Sequence, residues 1–185
     1  MTCLTGRDDM RLLNSFFSGR PKWWRWLAEA LFFLAIFLAI QAWQKRAVVT
    51  GPAPEIAGSS VDGTALSLSG WRAAHPDRAM ALYFWAEWCP ICKGVAGSVD
   101  AVGEDWPVLT VAMQSGTATE VAAYLRGQGR NWPTLLDPDG QLAAAYGLRG
   151  VPAFIVLDRN GAIRFAEIGY TSEIGMRLRL WWANR

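Results

Sequence analysis

Cys89 and Cys92 stand at C-x-x-C spacing, as Cys89-Pro90-Ile91-Cys92, a few residues after the apolar run AMALYFWA (79–86). On the opening turn of a helix, such a pair is suited to thiol-disulfide exchange. Unpaired N–H groups and the macrodipole at a helix N-terminus favour an anion, so the first cysteine has its thiolate stabilised and its pKa lowered. Cys89 is therefore the candidate nucleophile. Cys92, one turn on, is placed to attack the mixed disulfide and release the substrate. Pro90 suits the first helical turn, where its missing N–H is not needed. Trp88 and Ile91 put apolar surface around the thiols, which favours an unfolded or extended polypeptide over a small charged thiol. The two sulfurs alone would also serve as a two-coordinate module for Cu(I), and structural disulfides share the spacing. The third cysteine is Cys3 and the one histidine is His75, in an Ala-His-Pro-Asp loop setting. That scarcity argues against a His-based hydrolase and leaves no partners for a closed four-ligand zinc site. Gly127-Gln128-Gly129 is too incomplete for a dinucleotide loop, and no phosphate-cradling P-loop occurs.

Positioning that pair requires a strand before it and a helix after it. The runs 79–86 and PVLTVAM (107–113) read as strands buried on both faces, with room for one crossover helix between them. A helix follows over 119–126, with Val121, Tyr124 and Leu125 on one side, then the short strand TLLD (134–137). Asp137-Pro138-Asp139-Gly140 reads as a turn and QLAAAY (141–146) as a short helix. The runs 153–158 and 162–169 flank Arg159-Asn160-Gly161, and Asn-Gly between apolar runs predicts an antiparallel hairpin. A final helix over 172–182 is predicted to bury Ile174, Leu178, Trp181 and Trp182, leaving Arg177 and Arg179 on a solvated face. Trp85, Trp106 and Trp132 read as packing residues. Strands alternating with helices, then a hairpin and a helix, predict an α/β domain: a mixed central sheet flanked by helices, over 61–185.

The chain has 185 residues, 52% of them hydrophobic and 18% charged, enough for one domain and an appendage. The apolar excess gathers in LAEALFFLAIFLAIQAW (27–43), which has the single charge Glu29. Extended back to Trp23, the segment reaches about 31 Å as a helix, with Trp23, Trp24, Trp26 and Trp43 where interfacial tryptophans sit. We therefore expect a transmembrane signal anchor over 23–43, a cytoplasmic segment over 1–22 and a linker over 44–60. A cleaved signal peptide would place its apolar region similarly, but no small-x-small site follows the run. The net charge of +2 divides unevenly: residues 1–50 hold seven basic and three acidic groups, and residues 51–185 hold eleven and thirteen. Basic residues on the N-terminal side of the anchor place the N-terminus, with Cys3, in the cytoplasm and the domain outside. No basic stripe suited to nucleic acid remains.

The stretch Phe84-Trp85-Ala86-Glu87-Trp88-Cys89-Pro90-Ile91-Cys92-Lys93, with Gly150-Val151-Pro152 before an apolar strand, resembles the thioredoxin family over roughly residues 55–183. With its anchor and the extra segment between Met113 and Pro152, the chain looks most like the membrane-anchored TlpA-like and ScsD-like protein disulfide oxidoreductases of the bacterial periplasm. The resemblance implies a thioredoxin-like fold and a cis peptide bond at Pro152 facing Cys89. It also implies that Val151 offers backbone groups to an extended substrate, completing a binding surface of Trp88, Pro90, Ile91, Val151 and Pro152. The pair itself would be the redox-active disulfide, with no cofactor and no metal. Further implications are a single-pass location in the inner membrane, clients among disulfide-containing exported proteins, and a membrane electron donor of the DsbD type that keeps the chain a reductase; the same site also suits a disulfide oxidant or isomerase, and Pro90-Ile91 does not decide the direction. Departures are equally specific. Thioredoxin's buried Asp six residues before the first Cys is Tyr83 here, and the accompanying Lys is Met113. Glu87 matches a surface position of the signature, and Pro152-Ala153-Phe154 departs from the Pro-Glu-Thr of the cytochrome c maturation branch.

Overall fold

The computed structural model describes residues 22–45 and 48–185. The expected cytoplasmic segment up to residue 21, Cys3 included, lies outside the described residues. Helix α1 spans Lys22–Lys45. Among the described residues, no helix is long and apolar enough to cross a membrane.

Gln44–Arg185 is a second compact unit. Its strands are β1 (Gly51–Pro52), β2 (Ala57–Ser59), β3 (Ala65–Ser67), β4 (Met80–Trp85), β5 (Val108–Met113), β6 (Thr134–Asp137), β7 (Ala153–Leu157) and β8 (Ala162–Ile168). Its helices are α2 (Leu68–Ala74), α3 (Pro90–Asp105), α4 (Ala118–Gly127), α5 (Gln141–Ala145) and α6 (Glu173–Ala183). Six strands form one sheet in the order β1-β8-β7-β4-β5-β6, and β2 pairs with β3 in a small separate ribbon. β4 runs parallel to β5 and antiparallel to β7, so the sheet is mixed as the pattern predicts.

Strand β4 explains the arrangement from its residues. All six are buried, and their side chains alternate between two cores. Ala81, Tyr83 and Trp85 join Val95, Val99 and Val102 of α3, Val121 and Leu125 of α4, and Met176 and Leu180 of α6. Met80, Leu82 and Phe84 join Leu68 of α2, Ala143 of α5, and Val48 and Ile56. A strand with an apolar layer on each side has no polar alternation to show, which is why its sequence reads as one continuous run. The predicted hairpin forms between β7 and β8, its Asn160-Gly161 corner closed by Asp158 Oδ1, which accepts from the N–H groups of Asn160 and Ala162 at 2.9 Å each. Gly161 sits there at φ +81°, a left-handed conformation that suits a residue with no Cβ.

Three expectations need correction. Residues 44–60, expected as a linker, carry β1 and β2, and Val48 and Ile56 are buried in the second core. Gly51-Pro52 itself forms β1 against Ala162 and Ile163 of β8, and Gly58 is the middle residue of β2. The final helix buries Met176, Leu180 and Ala183, while Ile174, Leu178, Trp181 and Trp182 point outward. Both faces are apolar, so periodicity could not choose between them. Arg177 and Arg179 form no solvated face: Arg177 pairs with Asp105 and Glu173 and donates to the Ala101 carbonyl at the end of α3, and Arg179 pairs with Glu167. Carboxylates on both sides hold the Arg177 guanidinium above its usual pKa.

Candidate active site

Cys89 and Cys92 are joined as a disulfide, with Cα atoms 5.3 Å apart. The chain leaves β4 at Trp85 and turns at once, the Cys89 N–H donating to the Ala86 carbonyl at 3.2 Å. Cys89 is the N-cap of α3, and its Sγ accepts from the Cys92 N–H at 3.1 Å. Pro90 occupies the first turn, as its fixed φ and absent N–H allow. An N–H aimed at Sγ stabilises negative charge on that sulfur more than on a disulfide or thiol. Cys89 and Cys92 are only 3% and 4% exposed and pack in the first core with Tyr83, Trp85 and Phe154.

Antiparallel pairing of β4 with β7, Phe84 opposite Ala153, brings the residues before β7 to the end of β4 that carries the cysteines. The Val151 carbonyl oxygen lies 3.7 Å from Cys89 Sγ, and the Val151–Pro152 peptide bond is cis. Pro152 is buried, and its carbonyl accepts from the Gly169 N–H at 2.8 Å, which adds the end of β8 to the same edge. Around the sulfurs, Trp88 is 56% and Ile91 51% exposed, Pro90 is exposed and Val151 half-buried. All the residues expected to line the site thus meet at one end of the sheet.

Parallel pairing of β4 with β5 adds a neighbour that sequence reasoning missed. Their C-terminal ends share an edge, so residues 86–88 lie against residues 114–116. Ser115, 1% exposed, accepts from the Glu87 N–H at 3.2 Å and donates to the Met113 carbonyl at 3.0 Å. The Trp88 indole N–H donates to the Gln114 carbonyl at 3.0 Å. Ser115 follows a strand in a Gln-Ser-Gly-Thr stretch that reads as ordinary loop, and only the strand pairing reveals what it holds. Thr117 then starts α4 with a capping box: its Oγ1 accepts from the Glu120 N–H while Glu120 Oε2 accepts from the Thr117 N–H at 2.7 Å. These bonds keep the Glu120 carboxyl below its usual pKa.

Behind the pair, Tyr83 is fully buried and its hydroxyl donates to the Cys92 carbonyl at 3.3 Å. Burial pushes its pKa upward, so the phenol stays protonated. Its ring meets Trp132 edge to face at 5.8 Å, and Asp100 accepts from the Trp132 indole at 2.8 Å while pairing with Arg130. Glu87 contributes its backbone N–H to the Ser115 bond. His75 caps the end of α2 with Nδ1 2.9 Å from the Trp71 carbonyl. Among the described residues, no group of three or more His, Cys, Asp or Glu side chains could hold a metal ion. The arrangement provides a capped, nearly enclosed sulfur pair beside the Val151 carbonyl and an apolar rim, which can exchange disulfides with a polypeptide that presents its own.

The model of the AhpC/TSA family matches residues 49–166. A thioredoxin-like protein of Haemophilus influenzae is 26% identical over 150 residues, covering 80% of this chain and 87% of that protein. The thiol-disulfide oxidoreductase ResA of Geobacillus thermodenitrificans is 25% identical over 129 residues, covering 65% of this chain and 70% of that protein. Among solved structures, the pneumococcal exposed lipoprotein thioredoxin from Streptococcus pneumoniae superposes with a TM-score of 0.57 at 25% identity, over 70% of this chain and 99% of that one. The fold is thioredoxin-like.

Proposed function

Because this chain belongs to the AhpC/TSA family, with named thiol-disulfide oxidoreductases among its relatives, we propose that it is a membrane-anchored extracytoplasmic protein disulfide reductase. The observation that carries this reading is the Cys89 sulfur, capped by the Cys92 N–H and lying beside the Val151 carbonyl. In the reduced chain, the Cys89 thiolate attacks one sulfur of a substrate disulfide. A Cys89–substrate bond forms, the substrate S–S bond breaks, and the other substrate sulfur leaves as a thiolate that takes up a proton. Cys92 then loses its proton and attacks Cys89 Sγ, forming the intramolecular disulfide and releasing the second substrate thiol. Two electrons pass to the client, with one proton from Cys92 and one from solvent, and a membrane dithiol donor of the DsbD type must return the electrons.

Several features support the finer parts of the reading. Substrate backbone would meet the Val151 carbonyl beside the cis Pro152, over the surface of Trp88, Pro90 and Ile91. A single-pass inner-membrane anchor with the domain in the periplasm rests on the sequence alone, on the apolar composition of residues 23–43 and the basic residues before them, since no described helix is long and apolar enough to cross a membrane. No cofactor beyond the cysteine pair is needed for the exchange. The test uses the full chain in detergent micelles. Reduced protein should turn over insulin disulfides, Cys92→Ala should accumulate protein partners in mixed disulfides through Cys89, and Cys89→Ala should do neither. Inert wild-type protein that instead retains one Cu(I) per chain would replace this reading with the metal-binding one.

A further inference from the structure

Helix α6 is apolar on two opposite faces. One, with Met176, Leu180 and Ala183, is in the core. The other carries Ile174 at 72%, Leu178 at 61% and Trp182 at 67% exposure, with the Arg185 guanidinium lying over the ring of Trp181 at its far end. Contiguous exposed apolar surface marks a binding site. Tyr170, 71% exposed and four residues before Ile174, follows Gly169, which is bonded to Pro152 at 2.8 Å, and Val151 beside Pro152 lies 3.7 Å from Cys89. The chain thus leads from the end of the sheet that carries the thiols, over Tyr170, into the first turn of the stripe.

We propose that this outer face of α6, entered over Tyr170, holds an extended apolar segment of the client polypeptide that is bonded to Cys89. The inference rests on the oxidoreductase reading and adds a substrate class to it: clients whose reactive cysteine is followed or preceded, a few residues away, by bulky apolar side chains. Continuity selects this occupant. A segment held at the Val151 carbonyl and leaving past Pro152 meets Tyr170 next, and Ile174 to Trp182 rises about 12 Å, a length that about four extended residues cover. The rim charges are paired within the chain, Arg177 to Asp105 and Glu173 and Arg179 to Glu167, so the stripe recognises side-chain volume rather than charge.

The experiment compares second-order rates at which the reduced full chain, in nanodiscs, cleaves three disulfides. They are glutathione disulfide, a glutathionylated peptide with leucines four to eight residues from its cysteine, and the same peptide with serines there. The leucine peptide should react about tenfold faster than the serine peptide. Ile174→Ser with Leu178→Ser should bring that ratio near one and leave the glutathione disulfide rate unchanged. Trp182→Ser should lower the ratio partway. Equal peptide rates in the wild-type chain, or a variant that slows all three disulfides alike, would overturn the proposal. So would an unchanged peptide ratio in a variant that dissolves a dimer, or one that exposes Trp182 to oxidation in lipid discs but not in detergent, the signs of a second copy or of lipid. No cleavage of any of the three disulfides by the wild-type chain would remove the oxidoreductase reading itself.

Discussion

Replacing Ser115 by Ala removes one oxygen that serves two strand ends. The hydroxyl is 1% exposed and accepts from the Glu87 N–H at 3.2 Å while donating to the Met113 carbonyl at 3.0 Å. Losing a buried partner leaves the remaining polar group desolvated, at about 1–3 kcal/mol. Glu87 is only half-buried, so water can reach part of its N–H, which puts the expected loss near the lower end, about 1.5 kcal/mol, or about 5 °C in melting temperature. Trp88→Phe deletes the second tie to the same loop, the indole bond to Gln114 at 3.0 Å, and because that indole is exposed the loss should be about 0.5 kcal/mol. Both bonds fasten residues 86–88 to residues 114–116, so the double variant should lose less than the sum, by about 0.5 kcal/mol. Thermal unfolding of the full chain in detergent, followed by far-ultraviolet circular dichroism for all four proteins, gives the cycle. A Ser115→Ala protein within about 0.3 kcal/mol of wild type would refute the argument that this hydroxyl holds the cysteine loop. Strict additivity would refute the claim that the two ties act on one unit.

The remaining predictions concern neighbouring elements. Thr117→Ala should cost about 1 kcal/mol by removing an N-cap, read from the unfolding midpoint. The folded-state pKa of Glu120 is lowered, so its contribution to the cap is present above the unfolded value of about 4.3 and is lost as pH falls through the lower folded value. Amide exchange in the first turn of α4, corrected for intrinsic rate, should therefore show lost protection only on the acid side. Leu180→Ala should cost about 2–5 kcal/mol by opening a core cavity, while Ile174→Ala should stay within about 0.5 kcal/mol; equal losses would mean the inner face of α6 is assigned wrongly. Asp137, 2% exposed, accepts from the N–H groups of Leu142 and Ala143 at 3.0 Å each, so Asp137→Ala should cost about 2 kcal/mol in the same unfolding measurement.

The elements that hold the cysteines were legible because their signals are local. Residues 79–86 and 107–113 are apolar without interruption because both faces are covered, and Asn160-Gly161 fixes its own turn. The cysteine spacing and Pro90 announce a helix start. What escaped depends on contacts distant in sequence. β1 and the β2–β3 ribbon are two or three residues long, too short for any periodicity, and they exist because β8 and the second core receive them. Helix α6 offered two apolar stripes, and the larger side chains of Trp181 and Trp182 drew the expectation outward. The inner stripe is set by the room left between α3 and β7, where Met176, Leu180 and Ala183 fit. Arg177 and Arg179 looked solvated because their partners Asp105 and Glu167 come from other elements. Ser115 is 28 residues from the N–H it holds, and nothing local marks it.

The bond from the Cys92 N–H to Cys89 Sγ makes the start of α3 part of the electrochemistry. That sulfur is a better acceptor as a thiolate than as half of a disulfide, so the helix is capped more firmly after the chain takes up two electrons than before. Whatever free energy separates the two caps appears directly in the reduction potential, at about 30 mV for each 1.4 kcal/mol, and shifts the pair toward oxidant. A residue that never touches a client, but alters how straight that N–H points at Sγ, therefore changes which partners can drive the chain and which it can drive. Helix geometry at one residue thus moves the voltage at which the pair works.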